Sequence, residues 1–201
     1  MNIITLPLGP LETNCYVVYD KAPGACALID PGAMPQRIES CLSENHLEVQ
    51  LILLTHAHFD HTGALHALHE QYPDVPIFVN ARDTDEAYNM SHGNLVYTDT
   101  FSDGDEMKLP PLSFRAIATP GHTMGSSCFV CGDTIFSGDT LFAGCCGRTD
   151  LPGGSMEQMM ASLRRLSQLS GDYRVLPGHG EETTLERERR TNPYLKEAMR
   201  V

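Results

Sequence analysis

Apolar residues along this chain fall into short runs separated by glycine, proline and acidic clusters, with two stretches where the spacing becomes helical. Short runs and alternations of β-type residues predict strands near 2–7, 14–20, 25–30, 49–54, 76–80, 112–119, 126–131, 134–138 and 173–176. Helices are expected near 34–45, 62–71, 81–89, 155–169 and 183–200, the last broken at Pro193. Met34, Ile38, Cys41 and Leu42 stand at helical spacing in the first of these. Met159, Ala161, Leu163 and Leu166 do so in the fourth, with Ser155 as its expected N-cap. Strands, then helices, then the same succession again predict an α/β protein of two sheet-plus-helix halves. There is no internal linker and no low-complexity tract, and 201 residues suit one domain, 1–201, burying roughly 70% of the unfolded chain's surface.

The strand ends carry the candidate chemistry. The most apolar run, 49–54, is followed by Thr55-His56-Ala57-His58-Phe59-Asp60-His61, with three imidazoles and one carboxylate within six positions. Imidazole and carboxylate together suit zinc, and also iron or manganese. Four such groups on one turn are too many for a single catalytic metal that must keep a position open, so the heptad points to two metals sharing a site. A solvated polar loop would explain a bare His-x-His, but three further segments repeat the pattern of strand, turn, ligand. His122 follows Thr119-Pro120-Gly121, Asp139 follows Phe136-Ser137-Gly138, and His179 follows Leu176-Pro177-Gly178. Glycine permits the tight backbone turn that aims each of these side chains.

Charge and cysteine content narrow the function classes. The formal net charge is −12 with no basic block, which argues against a large nucleic-acid surface. No apolar stretch has the length of a membrane span, and the segment Met1–Thr5 lacks the basic start and apolar core of a signal peptide. Seven cysteines are an odd number, unlike a secreted disulfide framework, so a cytoplasmic location is expected. Cys128-Phe129-Val130-Cys131 has redox or zinc-pair spacing but lies between strand-like runs, and is expected to be buried strand and turn. Cys145-Cys146 lies after Asp139, where packing competes with a reactive thiol. His66 and His69 are expected on a solvated helix face, and His46 and His92 carry no context. Arg187, Arg189 and Arg190, interleaved with Glu186 and Glu188, read as another solvated face.

Taken together, Thr55–His61, Pro120–Ser126, Gly138–Asp139 and Pro177–His179 resemble the metallo-β-lactamase superfamily, and within it the glyoxalase II-like branch, over essentially the whole chain. The run 13–18 (Thr-Asn-Cys-Tyr-Val-Val) and Asp30-Pro31-Gly32 are similar to the same branch. The segment Gly147–Ser155 looks like the short bacterial glyoxalase II-like proteins and their persulfide dioxygenase relatives. Met124 departs from the usual proline, which should alter only the local turn. The resemblance implies an αββα sandwich of two mixed sheets flanked by helices, with metals where strand ends from both sheets meet. It also implies that the C-terminal helical region with which full-length glyoxalase II grips glutathione is absent, since 22 residues follow His179.

By matching position, His56, His58 and His122 would hold one divalent metal and Asp60, His61 and His179 a second, with Asp139 bridging them. Two divalent ions, two carboxylates and one hydroxide leave a net charge of about plus one, suited to an anionic substrate and an oxyanion. The implied activity is hydrolysis of a hydroxyacyl thioester such as S-lactoylglutathione by a metal-bridging hydroxide, with Asp60 and Asp139 as the carboxylates of the catalytic centre. A thiolate of pKa ~8.5 leaves with little acid assistance, whereas an amide nitrogen would need a proton donor. Arg148 is the candidate for gripping a substrate carboxylate, and an ion pair with Asp150 is its alternative. One iron on His56, His122 and Asp139 would instead suit a persulfide dioxygenase, and lactone or other ester hydrolysis would fit the same residues. The expected partner is a small-molecule thioester, with neither nucleic acid nor membrane; the oligomeric state is left open.

Overall fold

The computed structural model describes residues 1–91 and 95–200; His92 lies outside the described residues. Strands β1 (Asn2–Leu8), β2 (Thr13–Tyr19), β3 (Gly24–Ile29), β4 (Leu47–Leu53), β5 (Ile77–Asn80) and β6 (Asp99–Phe101) form one sheet in sequence order. Strands β7 (Glu106–Leu109), β8 (Leu112–Ala118), β9 (Ser127–Cys131), β10 (Thr134–Gly138), β13 (Arg174–Pro177) and β14 (Thr183–Thr184) form the second, in the order β14-β13-β10-β9-β8-β7. Strands β11 (Leu141–Phe142) and β12 (Cys145–Cys146) make a small hairpin. Both six-stranded sheets are mixed: β3, β4, β5 and β6 run parallel, and β10 pairs parallel with β13.

Helices cover both outer faces, and alternation along the strands explains the layering. On β2, Cys15 and Val17 pack outward with Ile38, Cys41 and Leu42 of α1 (Pro35–Glu44). Tyr16 and Val18 of the same strand point inward and join Phe114, Phe129, Phe136 and Leu176 of the second sheet. Ile117, Cys128 and Val175 face the other side, against Met159, Leu163 and Leu166 of α4 (Met156–Ser167) and Leu195 of α6 (Pro193–Ala198). Three apolar layers between four structural layers make the αββα sandwich. The three-residue spacing of Cys128 and Cys131 puts them on opposite faces of β9, which excludes a paired-thiol site there.

The helix expected over 62–71 is split. It forms α2 (Phe59–Thr62) and α3 (Leu65–Gln71), because the chain at Gly63–Ala64 presses on Pro31–Gly32 and Ala64 N–H donates to the Pro31 carbonyl. The helix expected over 81–89 is absent. Only a 3-10 turn, Ala81–Asp83, forms. Asn80 Oδ1 accepts from Arg82 N–H and Asp85 Oδ1 from Ala87 N–H, local bonds that compete with a helical ladder.

Smaller corrections have equally local causes. On α4, Ala161 faces solvent and Ser162 faces in, donating to the Pro120 carbonyl at 2.7 Å. Ser155 caps that helix as expected. The C-terminal segment breaks at Asn192–Pro193 into α5 (Leu185–Thr191) and α6, where Asn192 caps the second helix. Glu188 is fully buried rather than solvated, accepting from Thr183 Oγ1, Gly144 N–H and Asn192 Nδ2. Arg189 donates to the carbonyls of Ser167, Leu169 and Gly171, while Glu186 and Arg190 form the exposed pair the spacing predicts. No helix among the described residues is long and apolar enough to cross a membrane.

Candidate metal centre

Parallel strands place their ends on one edge, and the candidate ligands gather there. The heptad follows β4, His122 follows β8, Asp139 follows β10 and His179 follows β13. A register shift between Phe136 and Gly138 kinks β10 just before Asp139. Glycine at 178 is required by close approach: a Cβ there would collide with Asp139 Oδ1 and the His61 ring.

All seven predicted ligand residues come together. The ring of His56 lies 4.7 Å from that of His58, 4.0 Å from His61 and 4.8 Å from His122, centroid to centroid. Asp139 reaches both sides, with Oδ1 3.4 Å from His61 Nε2, and Oδ2 3.4 Å from His122 Nε2 and 3.6 Å from His179 Nε2. Asp60 Oδ2 lies 3.5 Å from His61 Nε2 and 3.2 Å from His179 Nε2. Three groups have donor atoms close enough to share an ion: His56, His58 and His122; His56, His61 and Asp139; Asp60, His61 and His179. Two match the halves of the expected pair of sites. The middle group crosses between them, so clustering alone does not divide the ligands.

The unused ring nitrogens are held from behind. Thr55 Oγ1 donates to Asp30 Oδ2 at 2.6 Å, so at 3.2 Å it must accept the Nδ1–H of His56. His61 Nδ1 donates to Asp30 at 2.9 Å, His122 Nδ1 to the Arg148 carbonyl at 2.8 Å and His179 Nδ1 to the Leu11 carbonyl at 3.1 Å. Each bond fixes a tautomer that leaves Nε2 with a lone pair facing the cluster. Nε2 of His56, His58, His61 and His122 and Oδ1 of Asp139 are buried with no hydrogen-bond partner. Buried polar atoms are ordinarily paired, and five orphans converging on one point fit metal coordination.

Electrostatics follow the same geometry. Burial, then the neighbouring imidazoles, holds His56 well below the usual histidine range and lowers His58 to about 4. Burial opposes charge on His61 too, but the Asp30 and Asp139 carboxylates outweigh it and raise its pKa. For Asp60 and Asp139 burial is overcome by the nearby imidazoles, His179 foremost at Asp60 and His61 at Asp139, and both carboxyls are held below their ordinary range. Both carboxylates are therefore acceptors at neutral pH, as ligation needs.

Other candidates separate. Arg148 lines the mouth of the centre, a cavity of about 270 Å³ shared with Leu11, Phe59, Met90 and Leu151. Its guanidinium grips Asp150 with two 2.8 Å bonds, which pushes that carboxyl down to about 2. His66 is exposed and pairs with Glu70 at 3.5 Å; His69 is half-buried, and neither joins a metal-capable group among the described residues. All seven cysteines are free, and Cys145 is the exposed one.

Sequence reasoning missed Asp83. It is buried and accepts from Ala57 N–H at 3.0 Å, Thr123 Oγ1 at 2.8 Å and Gly125 N–H at 2.6 Å, tying the heptad to the His122 turn. An acidic residue three positions past the end of β5 repeats the strand, turn, carboxylate pattern, and that was the available signal. The run 13–18 also gains a role: Tyr16 Oη and Asn14 Nδ2 both donate to the Pro177 carbonyl, and Thr13 Oγ1 donates to Asp60.

Residues 8–179 match the model of the metallo-β-lactamase superfamily. This chain belongs to that superfamily. Similar full-length relatives include hydroxyacylglutathione hydrolase GloC of Haemophilus influenzae, 32% identical over 97% of this chain and 98% of the relative. The probable metallo-hydrolase YqgX of Bacillus subtilis is 36% identical over 94% and 95%. Among solved structures, the BLEG-1 B3 metallo-β-lactamase superposes with a TM-score of 0.88 at 32% identity, covering 96% of this chain and 99% of that one. TTHA1623 in a di-iron-bound form gives 0.83 at 37% over 95% and 99%. ETHE1 from Myxococcus xanthus gives 0.82 at 30% over 96% and 84%. Superfamily membership and the His/Asp cluster make the chain a metallo-hydrolase-type protein with a divalent-metal site.

Proposed function

We propose that this superfamily member hydrolyses a hydroxyacyl thioester of the S-lactoylglutathione type. His56, His58 and His122 would hold one divalent ion in this reading, Asp60, His61 and His179 would hold a second, and Asp139 would contribute to both. The observation that carries it is the convergence of orphaned Nε2 lone pairs on the Asp139 carboxylate, whose Oδ1 faces His61 and whose Oδ2 faces both His122 and His179. When bound, such ions lower the pKa of coordinated water toward ~7 and polarise a carbonyl oxygen.

The chain's own residues do the rest. Asp30, Thr55 and the carbonyls of Arg148 and Leu11 accept from the Nδ1 atoms and keep the Nε2 atoms aimed at the cluster. His179 and His61, with Thr13 donating to Oδ2, hold the Asp60 carboxyl below its ordinary range, so it is ionised and has no proton to give. Water oxygen bonds to the acyl carbon as its protons pass to solvent, the C–S bond breaks with its electron pair going to sulfur, and carboxylate and thiolate depart without a dedicated acid, which favours a thioester over an amide. Arg148 would bind a substrate carboxylate only by releasing Asp150. The likeness to GloC supports this reading, and seven free thiols agree with a cytoplasmic location. The partner is a small molecule, with neither nucleic acid nor membrane involved.

A second reading has its own support. The likeness to ETHE1 supports persulfide oxidation at one iron on His56, His122 and Asp139, while the likeness to TTHA1623 in its di-iron-bound form supports iron as the metal of a two-metal site. Elemental analysis with S-lactoylglutathione hydrolysis separates the two. Two metals per chain and thioester cleavage are expected; one iron, oxygen uptake on glutathione persulfide and no thioesterase activity would overturn the hydrolase reading.

A further inference from the structure

Beside the metal centre lies a second cavity of about 290 Å³, between the turn joining β1 to β2 and the starts of α1 and α2. It shares Leu11, Phe59 and Asp60 with the cavity at the ligands, so it adjoins that cavity as a neighbouring lobe. Leu8, Ala33 and Met34 complete its apolar wall, and Asp60 is its one charged lining residue. Asp60 is already engaged by Thr13, His61 and His179, and its negative charge disfavours an anionic arm. Leu11 and Met34 are 51% and 48% exposed there. Unlike the mouth of the centre with Arg148, this lobe offers no cation.

The backbone adds an independent observation. Met34 stands at the N-cap of α1 with φ +51°, in the left-handed region, and caps nothing with its side chain. Glu12, in the turn opposite, has φ +52°. Glycine would fit either position with less strain, and polar residues cap helices better than methionine. Strained non-glycine residues concentrate at ligand clamps, where the side chain's position matters more than the local conformation. Here the strain holds a flexible thioether side chain, adaptable in packing, against the cleft.

We propose that this lobe is a substrate subsite that takes an uncharged aliphatic arm of the thioester. The inference rests on the thioester hydrolase reading and names an arm that a lactoyl–glutathione substrate would leave unmatched. The two lobes together fall within the ~300–1,000 Å³ of small-molecule sites, enough for a scissile carbonyl at the ligands and an alkyl chain beyond.

Binding can be read apart from turnover. Zinc-loaded protein is titrated with S-methyl-, S-butyl- and S-hexyl-N-acetylcysteamine, thioethers that hydrolysis cannot consume, while the methyl resonances of Leu11 and Met34 are followed. The dissociation constant should fall about four-fold per methylene, the value of burying one CH₂. Met34→Gly, which relieves the left-handed backbone and should fold at least as well, should flatten that slope. A dissociation constant independent of chain length, or an unchanged slope in Met34→Gly, overturns the subsite. Turnover then identifies the arm. Hexanoylglutathione and the acetyl thioester of hexanethiol are compared with acetylglutathione, and a higher kcat/KM for either six-carbon arm supports the subsite. Hydrolysis of all three without preference overturns the subsite and leaves the hydrolase standing. Normal thioether binding with no thioester cleaved sinks the hydrolase and leaves the subsite.

Discussion

The first sheet delivers four ligand-type side chains from the end of one strand, β4, whereas the second delivers three from the ends of three strands. The four lie within six residues that run from the end of β4 into α2. This stretch is braced by Asp30, which accepts from Thr55 N–H at 2.8 Å, and by Asp83, which accepts from Ala57 N–H. His122, Asp139 and His179 have no common loop. They meet only because β8 and β10 flank β9 and β10 pairs parallel with β13, so their convergence depends on strand register. A compact motif concentrates chemistry and leans on carboxylate bracing; the dispersed ligands depend on the sheet, with Asp83 bracing the His122 turn besides, and each is a separate point of failure.

The sharpest break of this comparison is at Asp139, the dispersed residue that touches both histidine sets. Asp139→Ala is expected to lower occupancy of both metal positions and to cost at least ~100-fold in thioester turnover, beyond the range for residues behind the ligands. His58, which belongs to one metal-capable group, is the control from the compact half. His58→Ala should empty one position and spare the other. Metal analysis on both variants checks the contrast. Full occupancy in Asp139→Ala would remove the bridging role.

The difference between the halves also explains what could be read in advance. The heptad is visible because its ligands are neighbours in sequence. The dispersed three were found through a repeated local grammar, β-run, glycine turn, ligand, and glycine at 178 proves to be forced by the closeness of Asp139 and His61. The architecture came from resemblance; alternation predicted strands but could not say that β2 faces one apolar layer with Cys15 and another with Tyr16. Strands β6 and β7 were missed because Asp-Thr-Phe and Glu-Met-Lys-Leu lack the apolar β-type run that marked β5, itself only four residues long. The helix expected at 81–89 failed because Asn80, Asp83 and Asp85 spend their side chains on turn and tertiary hydrogen bonds. Asp83 repeats the strand, turn, carboxylate pattern, but its role stayed hidden because its partners lie 26 to 42 residues away.

Asp83 gives the next largest effect, on the compact half. Asp83→Ala would leave the buried N–H groups of Ala57 and Gly125 without acceptors, while Thr123 keeps Ser126 as a partner. Stranding two buried donors should cost about 3 kcal/mol in denaturant unfolding. Because the loop also loses its brace, affinity of the histidine site for metal should fall ~10–100-fold. If affinity were unchanged while stability fell, Asp83 would be a fold element only, and the compact motif would need no bracing.

Tyr16→Phe probes the dispersed half most gently. The Tyr16 hydroxyl crosses from the first sheet to donate to the Pro177 carbonyl at 2.6 Å, two residues before His179. Its ring, edge-on to Phe136 with centroids 5.3 Å apart, would remain in place. Pro177 keeps the bond from Asn14 Nδ2 at 3.0 Å, so no acceptor is orphaned. The stability loss should therefore stay near ~1 kcal/mol, that of one hydrogen bond. If register alone positions the dispersed ligands, metal occupancy at the Asp60, His61 and His179 set should be unchanged. If occupancy there drops while the His56, His58 and His122 set stays filled, the turn itself is braced from the first sheet. The two halves would then differ only in the chemistry of the brace, carboxylate for the heptad and phenol with amide for His179.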